Sequence, residues 1–329
     1  MNLEMRILFT IILLLSAAFC GAVAGQQSTE ETTQQGIDAF RQGDNPKAIK
    51  ILNAAVKRNR DDSEGWYYLA LAYDKTGQFG NARPALEELV RLRPELAEGH
   101  RRLSFALILA GQSEPAVAEA RRAIDLGDNN IEPHYVIAEA SLRAGDAEKA
   151  LAEANQALRV QNYALALVTK SLALASLKRY GEAATTLSSL VLANPGDPDT
   201  EIWQEQIDRW RGGANSAISA ATPTTPTETK PMAEVFTGRD VSQKVRVLDK
   251  PEPTYSEAAR RAGVEGTVIL RAVFGSDGQV RSINVVRTLP YGLLAKATRA
   301  ARKIRFTPAR KDGRPVSMWL ELQYNFNLY

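Results

Sequence analysis

Two histidines, His100 and His134, stand 34 residues apart and are the first candidates for chemistry. Two imidazoles could share a zinc ion if a ring nitrogen of each came within about 2 Å of it. Both occupy the same position of a repeating unit described below, and equivalent positions on neighbouring units lie about 10 Å apart. Packing or groove-lining is therefore expected of both, and no metal site. Cys20 is the one cysteine, which excludes an internal disulfide and a cysteine-rich zinc site. No serine has a nearby His–Asp pair to activate it. No glycine-rich phosphate loop is present. No enzyme activity and no cofactor are expected. What remains is the chemistry of binding, and it concentrates near the C-terminus. Val316, Ser317, Trp319, Glu321, Gln323, Asn325 and Asn327 belong to one alternating run, and Arg299, Arg302, Lys303, Arg305, Arg310, Lys311 and Arg314 form the densest basic cluster.

The chain that must position these residues has 329 of them, enough for about two domains. Its 44% hydrophobic content is too high for a disordered chain. A net charge of +3 with 7% aromatics gives no global sign of nucleic-acid binding. The charge is divided, however. Residues 25–212 hold 22 Lys+Arg and 27 Asp+Glu, or −5, and residues 239–329 hold 17 and 8, or +9.

Ile7 to Phe19 is apolar apart from Thr10 and Ser16, follows Arg6, and leads to Ala22-Val23-Ala24. This is the pattern of a secretory signal, residues 1–24, with cleavage after Ala24 and a periplasmic mature protein. Extended to Ala24 the run could also stay as an uncleaved inner-membrane anchor, the chain's one route to a membrane. Cys20 invites a third reading, lipidation, against which bulky Phe19 argues.

Gly43, Gly77, Gly111 and Gly145 are each 34 residues apart, as are Ala48, Ala82, Ala116 and Ala150. Each unit reads as two amphipathic helices broken at the glycine. The small alanine is needed where paired helices cross at about 8–10 Å. Trp66, Leu69, Tyr73, Gly77, Ala82 and Pro94 make the best copy of the tetratricopeptide repeat pattern, which the region 29–211 resembles over about five units. A fifth unit, shifted by one residue, carries Tyr180, Ala183, Leu187 and Pro195. Trp203, Ile207 and Trp210 give the segment Thr200 to Arg211 an apolar face that would cap the array. The resemblance implies an all-α solenoid that binds proteins.

Residues 212–238 include Thr222-Pro-Thr-Thr-Pro-Thr and read as a linker. Beyond it the pattern is helix, strand, strand, helix, strand. Ser256 to Ala262 is a short helix, and Gly266 to Phe274 and Val280 to Arg287 are strands around the Ser276-Asp277-Gly278 turn. Gly292 to Ile304 is helical with Leu293, Ala297, Ala301 and Ile304 on one face. Val316 to Leu328 alternates at period two over seven apolar positions, so one face should lie on a core. Pro253-x-Tyr255, Ala258-Ala-Arg260, Gly263-x-x-Gly266, Asp277-Gly278, Phe306-x-Pro308-Ala309 and Gly313-x-Pro315-Val316 resemble the TonB C-terminal domain across 239–329. That resemblance implies a small α+β domain with a three-stranded antiparallel sheet. It also implies that an extended segment of an outer-membrane or periplasmic partner adds to the sheet as a strand, with a link to TonB-dependent transport and energy transduction. The last strand is the candidate edge, with Ser317 to Asn327 tuning specificity and Trp319 either anchoring a partner or packing. Ile7 to Ala24 carries no histidine, so the resemblance does not reach the family's coupling helix.

The basic cluster has two readings at this stage. It is an electrostatic guide toward an acidic receptor segment or an anionic envelope polymer such as peptidoglycan, or it is a solvated helix face. Nucleic acid is not expected, since an exported chain would meet none. The sequence thus describes a non-enzymatic cell-envelope adaptor with protein partners. The competing description is a structural scaffold whose C-terminal domain docks or dimerises.

Overall fold

The computed structural model describes residues 30–219 and 235–328. The signal segment with Cys20, most of the Thr/Pro stretch and Tyr329 lie outside the described residues. Eleven helices form the solenoid among them: α1 (30–41), α2 (Asn45–Arg58), α3 (Ser63–Lys75), α4 (Phe79–Leu92), α5 (Ala97–Leu109), α6 (Ser113–Asp125), α7 (Ile131–Arg143), α8 (Ala147–Val160), α9 (Ala164–Ser176), α10 (Tyr180–Ala193) and α11 (Thr200–Ser219). None of the described helices is long and apolar enough to cross a membrane.

The turn chemistry follows from the repeat. Gly43, Gly77, Gly111 and Gly145 all adopt φ between 68° and 85°, the left-handed region where a Cβ is penalised. The fifth unit has no glycine there, and Lys178 takes the same conformation at φ 62°. Asp44, Asp62 and Asp146 cap α2, α3 and α8 by accepting from the backbone N–H of the third residue of each helix. Ala48, Ala82, Ala116 and Ala150 are fully buried, so any larger side chain would push paired helices apart.

Two compact units divide between His100 and Arg101. In the first, Leu52, Leu69, Leu86 and Leu89 are fully buried, each worth about 1.5–3 kcal/mol of apolar transfer. Thr33 Oγ1 donates to Asp62 at 2.5 Å, and Phe40 meets the edge of Tyr68 at 5.6 Å. The second unit contains the later repeats and the C-terminal domain together.

That domain runs β1 (Val235–Phe236), β2 (Arg246–Asp249), α12 (Glu257–Ala262), β3 (Gly266–Phe274), β4 (Val280–Arg287), α13 (Leu293–Ala301), β5 (Arg305–Thr307), β6 (Ala309–Lys311) and β7 (Arg314–Phe326). The expected antiparallel trio is present in the order β7-β3-β4. Gly266 to Phe274 pairs with Phe326 to Met318 without a break in register. The sheet is mixed rather than purely antiparallel, because β1 joins β7 in parallel at Val235–Ser317 and Phe236–Met318. A β6–β7 hairpin and a separate β2–β5 pair complete the domain. Alternation holds along β7: Met318, Leu322, Tyr324 and Phe326 are buried, and Glu321, Gln323 and Asn325 are exposed. Leu293, Ala297, Ala301 and Ile304 bury the α13 face against this core, where Phe274 and Phe306 stack edge-on at 4.6 Å.

The C-terminal domain packs on the later repeats. Glu265 N–H donates to the Leu109 carbonyl at 2.8 Å, and Arg287 to the Arg143 carbonyl at 2.8 Å. Gly111 lies at this contact; a Cβ there would meet the Glu265 carbonyl oxygen at an ordinary 3.4 Å, so its φ of 74°, not the space, calls for glycine. The α7 helix is deeply buried, at Pro133 and at every residue from Tyr135 to Ser141. The matching first helix of the second repeat, α3, buries only Gly65, Leu69, Ala70 and Ala72.

Candidate functional site

A sheet offers guest strands only its unpaired rims, so the two outer strands decide what the domain can bind. β4 is one of them. Its Val285 N–H points out of the sheet and donates to Gln206 Oε1 of α11 at 2.9 Å. The other is β7. β6 pairs with it from Arg314 to Val316, and β1 occupies its outer side at Ser317 and Met318. From Trp319 to Phe326 no strand pairs with that side among the described residues.

The backbone phase of this rim follows from two observations. In an antiparallel ladder, pairs that exchange both hydrogen bonds alternate with pairs whose N–H and C=O point away. The Gln323 carbonyl accepts from Lys250 Nζ at 2.7 Å, so Gln323 is an outward-pointing residue. Leu322 then bonds to Leu270, and Val285, opposite Leu270 on its other side, must turn outward. The Val285–Gln206 bond shows that it does. Trp319, Glu321, Gln323 and Asn325 thus present N–H and C=O groups away from β3.

Beside this rim lies a groove of about 330 Å³ bordered by Lys250, Glu252, Pro253, Tyr255, Gln323 and Asn325. The Lys250 ammonium sits 4.6 Å above the Tyr324 ring. Tyr324 is wholly buried and its hydroxyl has no hydrogen-bond partner among the described residues. Burial pushes its phenol up to about 12. Tyr255, from the Pro-x-Tyr motif, packs edge-on against Phe326 at 5.5 Å and donates its hydroxyl to the Val264 carbonyl. Gly263 and Gly266 serve the turn into β3, with φ of 66° and 139°.

The outward side chains form a linked surface. Arg271 lies 5.0 Å over the Trp319 ring, and Trp319 is half-buried. Gln323 donates to Glu321 at 3.0 Å, and Thr267 to Asn325 at 2.8 Å. Asn327 is exposed beyond the end of β7. Val316 and Ser317 differ from the rest, because they already pair with β6 and β1 of this chain.

The basic cluster falls into two groups. Arg299, Arg302 and Lys303 stand on or just after α13, and Arg302 pairs with Glu205 of α11. Arg305, Arg310, Lys311 and Arg314 stand on β5, β6 and β7. Arg305 pairs with Asp249 at 3.3 Å, Arg310 donates to the Gly313 carbonyl at 3.1 Å, and Lys311 lies 4.3 Å over the Phe236 ring. Arg299, Lys303 and Arg314 are exposed.

The repeat positions pack. Trp66 donates to the Arg60 carbonyl at 2.9 Å, Tyr73 accepts from Asn53 at 2.9 Å, and Leu69 is buried. His100 is buried with Nε2 3.0 Å from the Pro94 carbonyl. His134 meets Glu153 at 2.8 Å. Among the described residues no cluster of three or more metal-ligating side chains occurs.

Sequence reasoning missed Lys250, Gln206 and Asp199. Asp199, in the turn before α11, accepts from Ala295 N–H at 2.9 Å and so caps α13. Gly292, the helix's own cap residue, offers no side chain. Burial pushes the Asp199 carboxyl up to about 7 against the pull of that hydrogen bond. A helix opening on glycine is a signal that some other residue must cap it, but not of which one.

Comparison with known proteins agrees with this architecture. Residues 33–97 and 135–198 match the tetratricopeptide repeat family, and residues 251–328 match the Gram-negative bacterial TonB protein C-terminal family. The chain is 26% identical over 101 residues to the Hsp70-Hsp90 organizing protein of Triticum aestivum, covering 31% of this chain and 17% of that protein. It thus spans about a sixth of that relative's length. The crystal structure of MamA covers 51% of this chain and 92% of its own, at 20% identity and a TM-score of 0.44. That of PilW, a widely conserved type IV pilus biogenesis factor, covers 59% and 90%, at 16% identity and a TM-score of 0.47.

Proposed function

We propose, for a chain that carries tetratricopeptide repeats followed by a TonB C-terminal domain, the role of a non-enzymatic adaptor in the cell envelope. Both domains are interaction modules. The C-terminal domain takes an extended segment of an outer-membrane or periplasmic protein as an added strand on β7. The rim from Trp319 to Asn327 supplies the backbone hydrogen bonds, and Glu321, Gln323 and Asn325 sort the guest. The single observation that supports this most is the outward Gln323 carbonyl, met among the described residues by a lysine side chain where a strand would lie. The repeats hold a second partner, so the two are brought together on one chain. A link to TonB-dependent transport, export to the periplasm through residues 1–24, and guidance of the guest by Arg299, Lys303 and Arg314 belong to the same proposal.

The test is a photo-crosslinking residue at position 325 in the full chain, with and without Gln323→Pro. Proline at an outward position removes a rim N–H without touching the β3 ladder. Crosslinks to an envelope protein that vanish with Gln323→Pro support strand addition. Crosslinks that survive it sink the idea.

A second reading, the scaffold whose C-terminal domain docks, draws on the contacts of that domain with its own repeats. It predicts a chain that binds nothing at β7.

A further inference from the structure

Five hydrogen bonds between the later repeats and the C-terminal domain run in one direction. The Glu265, Val285 and Ala295 N–H groups and the Arg287 and Arg302 guanidiniums donate. The Leu109 and Arg143 carbonyls, Gln206 Oε1 and the Asp199 and Glu205 carboxylates accept. The repeats present an acceptor surface, and the domain covers it with donors. The charges of −5 over residues 25–212 and +9 over residues 239–329 have the matching signs. Arg143 and Arg209, cations near this face, are already paired, with Glu139 at 2.9 Å and Glu205 at 3.4 Å.

The fit is incomplete. A cavity of about 300 Å³ remains between Leu142 and Leu172 of the repeats and Ile269 and Val286 of the sheet. Val286 keeps 46% of its surface exposed. An interface within one chain that is polar and leaves an open cleft resembles a transient protein–protein interface, for which relative motion is expected.

We propose that the face of the array formed by α5, α7, α9 and the start of α11 is a binding groove for a basic polypeptide segment, and that the chain's own C-terminal domain occupies it until such a partner arrives. This rests on the repeats being a partner-binding scaffold, and it does not depend on strand addition at β7. A basic partner supplies the same donors to Glu205, Asp199, Gln206 and the exposed carbonyls. By mass action its binding frees the C-terminal domain, including the β4 rim now held by Gln206.

The experiment uses the full chain and two probe peptides, a dodecamer of alternating Arg and Ala and one of alternating Glu and Ala. Hydrogen exchange at the Val285 and Ala295 amides reports docking, and fluorescence anisotropy reports peptide binding. The Arg peptide is expected to speed exchange at both amides, and the Glu peptide to leave them unchanged. Arg302→Glu should loosen docking and bind the Arg peptide about tenfold more tightly than the unaltered chain. Adding Glu205→Arg to it should restore slow exchange and weaken the peptide again. No change in exchange with the Arg peptide, equal binding of both peptides, or Arg302→Glu leaving affinity unaltered overturns the proposal. Crosslinks at position 325 that survive Gln323→Pro while docking behaves as expected speak against strand addition alone.

Discussion

Lys250 Nζ lies 2.7 Å from the carbonyl oxygen of Gln323, on the side of β7 where the N–H of a neighbouring strand would donate. An ammonium on a flexible stem is a replaceable partner, whereas a paired strand is not. The relationship explains how an exposed rim stays satisfied without being closed.

Replacing this lysine tests its role. Lys250→Met keeps the apolar stem and removes the charge. The pair is exposed, so the loss of stability should be no more than about 1 kcal/mol. Urea unfolding measures that loss. Crosslinking at position 325 should persist or rise, because the guest no longer displaces an ammonium. A fall in crosslinking would assign Lys250 to guest recognition instead.

Asp199 gives the protein a pH dependence with a defined sign. Its folded pKa, about 7, lies above the ordinary carboxylate value because burial outweighs the Ala295 hydrogen bond, with Asp197 adding repulsion. Its stabilising contribution is therefore complete below about pH 4 and is lost as the pH rises through 7. The loss is on the order of 2–4 kcal/mol. Asp199→Asn keeps an acceptor for Ala295 and removes the titration. Urea midpoints of the unaltered chain should fall between pH 5 and pH 8, and those of the variant should fall less.

Lys178 holds a left-handed backbone that the other repeats give to glycine. Lys178→Gly should stabilise the fifth repeat by about 0.5–1 kcal/mol, and Gly145→Val should destabilise the fourth by at least about 1 kcal/mol. Thermal unfolding of the two variants should shift in opposite directions.

The cap of the array depends on Trp203, which is 4% exposed. Trp203→Ala should cost about 3–5 kcal/mol. Since α11 also carries Gln206, exchange at the Val285 amide should quicken in the same variant.

Much of this was legible in the sequence because it is periodic. Four glycines and four alanines in one register gave the turns and the helix crossings, and alternation along Val316 to Phe326 gave β7. The segments that were missed have no period to show. β1 is two residues long, and all four residues of β2 are exposed, so neither carries an apolar alternation. Their place is set by partners such as Ser317 and Phe306 far along the chain. The docking contacts were hidden for the same reason. Gln206 and Val285 are 79 positions apart, Asp199 and Ala295 are 96, and Arg143 and Arg287 are 144. Local pattern carries no trace of a pairing at that separation. The docked domain also explains why the compact units part at His100 rather than at the Thr/Pro stretch.

Amide exchange along β7 in the partner-free full chain probes the guest rim itself. Leu320, Leu322 and Tyr324 N–H groups should exchange slowly, and Glu321, Gln323 and Asn325 N–H groups quickly. Uniform protection of all six would mean that the rim is already filled, and no guest strand could be received there.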